Sequence, residues 1–125
     1  MFALTLYNKV VEISEKIYEP NYCYQVRGLK AHKVLKEGEW THTYLFLNEI
    51  SKTTQTLEEM CDAFMVVKIG FNIPLAIYPT LGQAKRCAKE YEENGIDVRV
   101  YGGIWNSNGF TYLATNREWG FVIYE

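Results

Sequence analysis

The stretch Leu75–Tyr101, LAIYPTLGQAKRCAKEYEENGIDVRVY, holds the most legible architecture in the chain. Leu75–Tyr78 is a short apolar run between Pro74 and Pro79 and reads as a strand. Thr80 followed three residues on by Gln83 is a capping box, and it predicts that a helix starts there. Leu81, Ala84, Cys87, Ala88 and Tyr91 then fall on one face at helical spacing, with Lys85, Arg86, Lys89, Glu92 and Glu93 on the other. Asn94-Gly95 supplies residues that tolerate the left-handed conformation in which helices end. Ile96–Tyr101 alternates as a strand does, so the whole reads as a β-α-β unit of compact crossover length, compatible with parallel strands.

On the N-terminal side, Leu57, Met60, Cys61 and Phe64 predict a short helix opened by a second box, Thr56 with Glu59. An apolar strand at Met65–Ile69 and a turn at Gly70-Phe71-Asn72-Ile73 follow. Ser51–Thr56 is polar and reads as a loop. Strands are expected at Tyr22–Arg27, Ala31–Leu35 and Trp40–Leu47, forming an antiparallel meander with a turn at Lys36-Glu37-Gly38-Glu39. Further back, Leu4, Tyr7, Val11 and Tyr18 recur at helical spacing, with Lys9, Glu12, Glu15 and Lys16 opposite and Pro20 as a stop. They predict an N-terminal helix over about residues 3 to 18. On the C-terminal side Gly102-Gly103 breaks the chain. Asn106-Ser107-Asn108-Gly109 turns it, and Phe110–Ala114 and Phe121–Tyr124 form a closing hairpin around Asn116–Gly120.

The expected class is α+β. A mostly antiparallel mixed sheet carries an N-terminal helix, a short central helix and one β-α-β unit, with the helices packed on the sheet. With 125 residues, 48% hydrophobic and 22% charged, the chain is expected to form a single domain spanning 1–125 around one core. A start without a charged segment and apolar run, and apolar stretches short of the roughly 20 residues that span a bilayer, make the cytoplasm the expected location. No membrane partner is expected.

Little here points to catalysis. The phosphate-loop, dinucleotide, nucleophile-elbow and zinc-protease motifs are absent from the sequence, and the three cysteines Cys23, Cys61 and Cys87 form no CxxC pair. Buried thiols in a reducing compartment account for them. Glu58 and Glu59 suit the first turn of a helix, and Glu90, Glu92 and Glu93 a solvated helix face, so neither group requires an acid–base role. His32 and His42 face each other if the hairpin turns through a three-residue loop, and miss each other if the register slips by one. No third ligand accompanies them, so neither a metal nor a cofactor is expected.

Ten Tyr, six Phe and three Trp are the conspicuous feature of the composition. Rings of this kind fill cores, and Tyr and Trp also gather at interfaces. Beside two of them, Tyr22 and Tyr24, the cations Arg27, Lys30 and Lys33 occur with no acid between them, and Trp40 lies on the next expected strand. Those six residues form the candidate interaction surface. Stacking rings next to cations also suit single-stranded nucleic acid, but a formal net charge of -2 gives no overall attraction to a polyanion. An ordinary strand face with lysines guarding a sheet edge explains the same residues.

The runs TLEEMCDAFMVV (56–67), IYPTLGQAKRCAKEYEENGIDVRVYGGIW (77–105) and GFTYLA (109–114) together resemble small uncharacterised proteins of phages and mobile elements of Gram-positive bacteria. The resemblance lies in the order of short helix, apolar hairpin, capped helix, strand and aromatic hairpin. It implies an accessory protein that binds or inhibits a host or defence component, and it transfers no residue's role. The function expected from the sequence is therefore a small non-enzymatic protein that binds a protein partner. The alternatives are a nucleic-acid-binding module and a homo-oligomeric structural protein.

Overall fold

The computed structural model describes residues 1–14, 23–27 and 40–124, with the strands at 23–27 and 40–46 described by their backbone alone. The chain divides into two compact units, Met1–Thr56 and Leu57–Glu125. Each is built on its own five-stranded antiparallel sheet.

The expected N-terminal helix does not form. Its residues make β1 (Phe2–Thr5) and β2 (Val10–Ile13), an antiparallel hairpin with Ala3 opposite Val11 and Leu4 opposite Val10. Successive strand residues point to opposite faces, and here both faces are buried: Leu4 and Val10 on one, Ala3, Val11 and Ile13 on the other. A strand buried on both sides reads as a continuous apolar run, and such a run satisfies helical spacing by accident. The turn settles the matter locally. Asn8 takes a positive φ of 61°, and Thr5 Oγ1 accepts the N–H groups of Tyr7 and Lys9 at 3.3 and 3.1 Å.

The rest of the first unit adds β3 (Cys23–Arg27), β4 (Trp40–Phe46), a 3₁₀ turn at Leu47–Glu49 and β5 (Ile50–Thr54). The order across the sheet is β4-β3-β2-β1-β5. Two of the expected meander strands are thus present and pair with each other, while Ala31–Leu35 lies outside the described residues. Ser51–Thr56, expected as a loop, is largely strand. Its threonines suit a pleated edge, and Thr53 and Lys52 lie opposite Ala3 and Leu4 of β1. Met1 and Ile50 complete the apolar cluster around Ala3, Val11 and Ile13.

The second unit contains α1 (Leu57–Met60), β6 (Ala63–Lys68), β7 (Ile73–Tyr78), α2 (Leu81–Glu93), β8 (Val98–Asn106), β9 (Gly109–Arg117) and β10 (Gly120–Ile123). The expected central helix is a single turn, and Phe64 belongs to β6 instead. The order across the sheet is β10-β9-β8-β6-β7. Since β6 is antiparallel to both β7 and β8, those two strands run parallel to each other with β6 between them. The β-α-β unit is therefore split. Pro74 sits in β7, an edge strand where its missing N–H is tolerated.

Among the described residues α2 is the one helix longer than a turn, so antiparallel sheet dominates the protein and the expectation of several helices packed on one sheet is corrected. Leu81, Ala84 and Ala88 of α2 bury against Phe64 and Val66 of β6 and Val98 and Val100 of β8. Its start is set as the sequence predicts: Thr80 Oγ1 accepts from Gln83 N–H at 3.3 Å. The return contact differs from a full capping box, because the Thr80 hydroxyl donates to Gln83 Oε1 at 3.0 Å. At the other end Gly95 takes a φ of 78°, and its N–H and that of Ile96 donate to Glu92 and Tyr91 carbonyls at 3.0 and 2.9 Å.

Gly102-Gly103 does not break the chain. β8 runs through both, with the register to β9 shifting between them. A Cβ at Gly102 would lie 2.6 Å from Cys61 Sγ and 2.7 Å from the Phe121 ring. One at Gly103 would collide with the Thr111 carbonyl and sit 2.8 Å from the Phe110 ring. Gly82, in the first turn of α2, has open space around it. Gly103→Ala should therefore lower the urea midpoint by an amount worth about 2 kcal/mol or more, the usual scale of overpacking against rigid neighbours. Gly82→Ala should raise it by about 0.5–1 kcal/mol. Equal midpoints for the two variants would show that the glycine pair is not sterically required.

Candidate functional site

The residues proposed from the sequence as an interaction surface separate in the structure. Tyr24 and Arg27 lie on β3 and Trp40 on β4, with Arg27 opposite Trp40 and Tyr24 opposite Leu45. Tyr22, Lys30 and Lys33 lie outside the described residues, as does His32. The strand paired with β4, which carries His42, is β3.

A second group of aromatic residues comes together on the sheet of the second unit. Phe64 and Val66 of β6 and Val100 of β8 bury toward α2, so their neighbours Met65 and Tyr101 point to the opposite face, where they are cross-strand partners. Tyr101 stacks on Tyr112 of β9 with ring centroids 4.5 Å apart and planes 12° apart. Tyr124, just past β10, stands edge-on to both, at 5.5 Å from Tyr101 and 5.7 Å from Tyr112. Phe110 meets the Tyr112 ring edge-on at 5.8 Å, and Trp105 meets Phe110 at 5.0 Å. The result is one file of rings from Tyr124 to Trp105 in the geometries that aromatic quadrupoles favour.

The backbone that carries this file is firmly tied. Tyr124 N–H donates to the Leu113 carbonyl at 2.9 Å, and Trp105 N–H donates to Asp62 Oδ2 at 3.1 Å. Asp62 N–H in turn donates to the Gly103 carbonyl at 2.8 Å. One of the chain's two aspartates thus has a structural role, clamping the start of β6 to the irregular part of β8. Beyond Trp105 the Asn106 amide donates to Thr111 Oγ1, and Asn108 N–H donates to Asn106 Oδ1 at 2.8 Å, fixing the β8–β9 turn. Tyr101, Phe110 and Tyr112 are half-buried, whereas Trp105 is 57% and Tyr124 43% exposed. The file therefore ends in large apolar surface at both extremities.

Sequence reading passed over this file because it treated the glycine pair as a break. The signal is present nonetheless: Tyr101 and Trp105 flank Gly103 at strand spacing, and Phe110 and Tyr112 alternate on the next strand.

Cys61 and Cys87 are half-buried, and Cys61 Sγ donates to the Leu57 carbonyl at 3.3 Å. Among the described residues no group of His, Cys, Asp or Glu is arranged to hold a metal ion. No helix among them is long and apolar enough to cross a membrane. Compared with known proteins, the chain matches no family model, no curated protein and no solved structure.

Burial raises the Tyr112 hydroxyl above the usual phenolic range, and charge on Tyr101 and Tyr124 would raise it further. Its raised folded value means that the native state holds this proton more tightly than the unfolded chain. The associated stability is complete below the ordinary phenol pKa of about 10 and is lost as pH rises through the higher folded value. Spectrophotometric titration should accordingly show a late-ionising tyrosine that disappears in Tyr112→Phe. The same substitution should lessen the alkaline loss of thermal stability, and an unchanged titration curve would remove Tyr112 from the late step.

Proposed function

We propose that the protein is a small non-enzymatic binding protein that engages a protein partner through the aromatic file of its second sheet. The observation that supports this reading is the run of interlocked rings from Tyr124 to Trp105, held on hydrogen-bonded strands and exposed at both ends. Rigid rings lose little entropy on association, and Trp and Tyr are over-represented among residues that dominate binding energy. The resemblance to phage and mobile-element proteins extends the proposal to a component of the host or of its defences, encountered in the cytoplasm.

A nucleic-acid surface on β3 and β4 is the second reading, motivated by the register that sets Arg27 opposite Trp40. Salt separates the two, since phosphate contacts weaken steeply as salt rises and apolar burial does not. Tagged protein should retain a discrete partner from host lysate through a high-salt wash. A Trp105→Ala, Tyr124→Ala double variant of native circular dichroism should lose that partner by on the order of tenfold or more. Undiminished capture by the variant would refute the aromatic file as the binding surface. Nuclease-sensitive material released by salt would favour Arg27 and Trp40, and a mass in solution twice that of the chain would identify the partner as a second copy.

A further inference from the structure

A groove lies between α2 and the β9–β10 turn, on the other side of the second sheet from the aromatic file. It is open to solvent, with a volume of about 430 Å³, and overlaps a second open space of about 520 Å³ that shares Ala88, Glu92, Asn116, Arg117, Glu118 and Trp119. Both volumes are in the range of small-molecule sites. Ala88, Val98 and Val100, buried in the core between α2 and the sheet, lie at the base of the groove.

The rim is polar and comes from two directions. Lys85, Lys89 and Glu92 recur on α2 at the spacing of one helical stripe. Arg117, Glu118 and Trp119 face them from the hairpin turn. Trp119 is 79% exposed. Its indole, exposed beside cations, offers a flat face on which a planar ring can stack. Among the described residues no ion pair neutralises Lys85, Lys89 or Arg117.

We propose that this groove binds a nucleoside monophosphate, with the base stacked on Trp119 and the phosphate held by Lys85, Lys89 and Arg117. An aromatic base matches the exposed face of the Trp119 indole, and base–aromatic stacking is strong and sequence-tolerant. The phosphate matches cations that converge from both walls. Asn116, offering donors and an acceptor, stands where the edge of a base or a sugar hydroxyl can be read. Glu92 and Glu118 limit the charge: four cations, Lys85, Lys89, Arg99 and Arg117, against two carboxylates leave a surplus that matches one phosphate group and opposes a triphosphate.

The test is titration of the whole protein with adenosine and guanosine 5′-monophosphates at low salt, followed by calorimetry and tryptophan fluorescence. Saturable binding with quenching is expected. Trp119→Ala should weaken it tenfold or more, whereas Trp119→Phe should keep the heat and lose most of the quenching. Lys85→Ala with Lys89→Ala should weaken binding and flatten its salt dependence. The Trp105→Ala, Tyr124→Ala variant should bind nucleotide as the native chain does, so failure of the aromatic file as a protein-binding surface leaves this result untouched. Absence of saturable binding, equal affinity in Trp119→Ala, or equal affinity for inorganic phosphate would overturn the proposal. Binding of single-stranded oligonucleotide without the mononucleotide would overturn it as well.

Discussion

At Gly102 and Gly103 the strand β8 is crowded from both faces of its sheet. Cys61, Phe64 and Phe121 press on the first glycine, and Phe110 and the Thr111 carbonyl press on the second. Any Cβ at these two positions would displace a neighbour, so the close approach exists because the side chains do not. Much of the second unit is organised by this crowding. The register to β9 shifts between the two glycines, the Gly103 carbonyl receives the Asp62 N–H, and Asp62 accepts from Trp105. A bulge at such a site bends and twists its strand, and the aromatic file runs along the strand pair that carries it.

The two faces of that sheet are chemically distinct. Toward α2 it is mainly aliphatic, with Val66, Val98 and Val100 meeting Leu81, Ala84 and Ala88, and one ring pair, Phe64 with Phe121, among them. Away from α2 it is aromatic, with Tyr101, Tyr112 and Tyr124 stacked and Met65 accepting a weak hydrogen bond from the Tyr112 hydroxyl at 3.7 Å. Aliphatic burial against a helix gives the unit its stability, and that frees the aromatic face from having to serve as the main core. The stacked and edge-on rings contribute something else: fixed relative orientation, because Tyr101, Tyr112 and Tyr124 each contact the other two.

How far this was legible in the sequence depended on whether the signal was local. The α2 boundaries, the Gly70–Asn72 turn and the closing β9–β10 hairpin follow from caps, positive-φ residues and short alternation, each decided within a few neighbours. The region from residue 3 onward was misread as helix because Ala3, Leu4, Val10 and Val11 are apolar toward both faces of a sheet, and only the tertiary pairing that buries both faces distinguishes the two periods. Gly102-Gly103 was misread as a break for a related reason. Glycine signals a break when it is chosen for its backbone freedom, and a continuous strand when it is chosen for its lack of bulk. The neighbours that force the second reading lie far away in sequence. The candidate site shared that fate: the Tyr24, Arg27 and Trp40 strands were visible, but the file through Tyr101 and Tyr112 depended on strands joined across the misread glycines.

The split crossover has a consequence for how the second unit assembles. Hairpins β6–β7 and β8–β9 close between residues near in sequence, so each forms early and cheaply in entropy. The β6–β8 ladder, which sets Val66 opposite Val100, joins the two hairpins only after α2 has carried the chain over the sheet. That ladder is the non-local step, and contact order makes such steps slow. Before it closes, both hairpins present a bare strand edge, and β8 presents one with its glycines uncovered. A strand added at that moment from another molecule would find the same hydrogen-bonding partners as β6. The time the chain spends with β6 and β8 apart is therefore the interval in which this fold is open to domain exchange and aggregation.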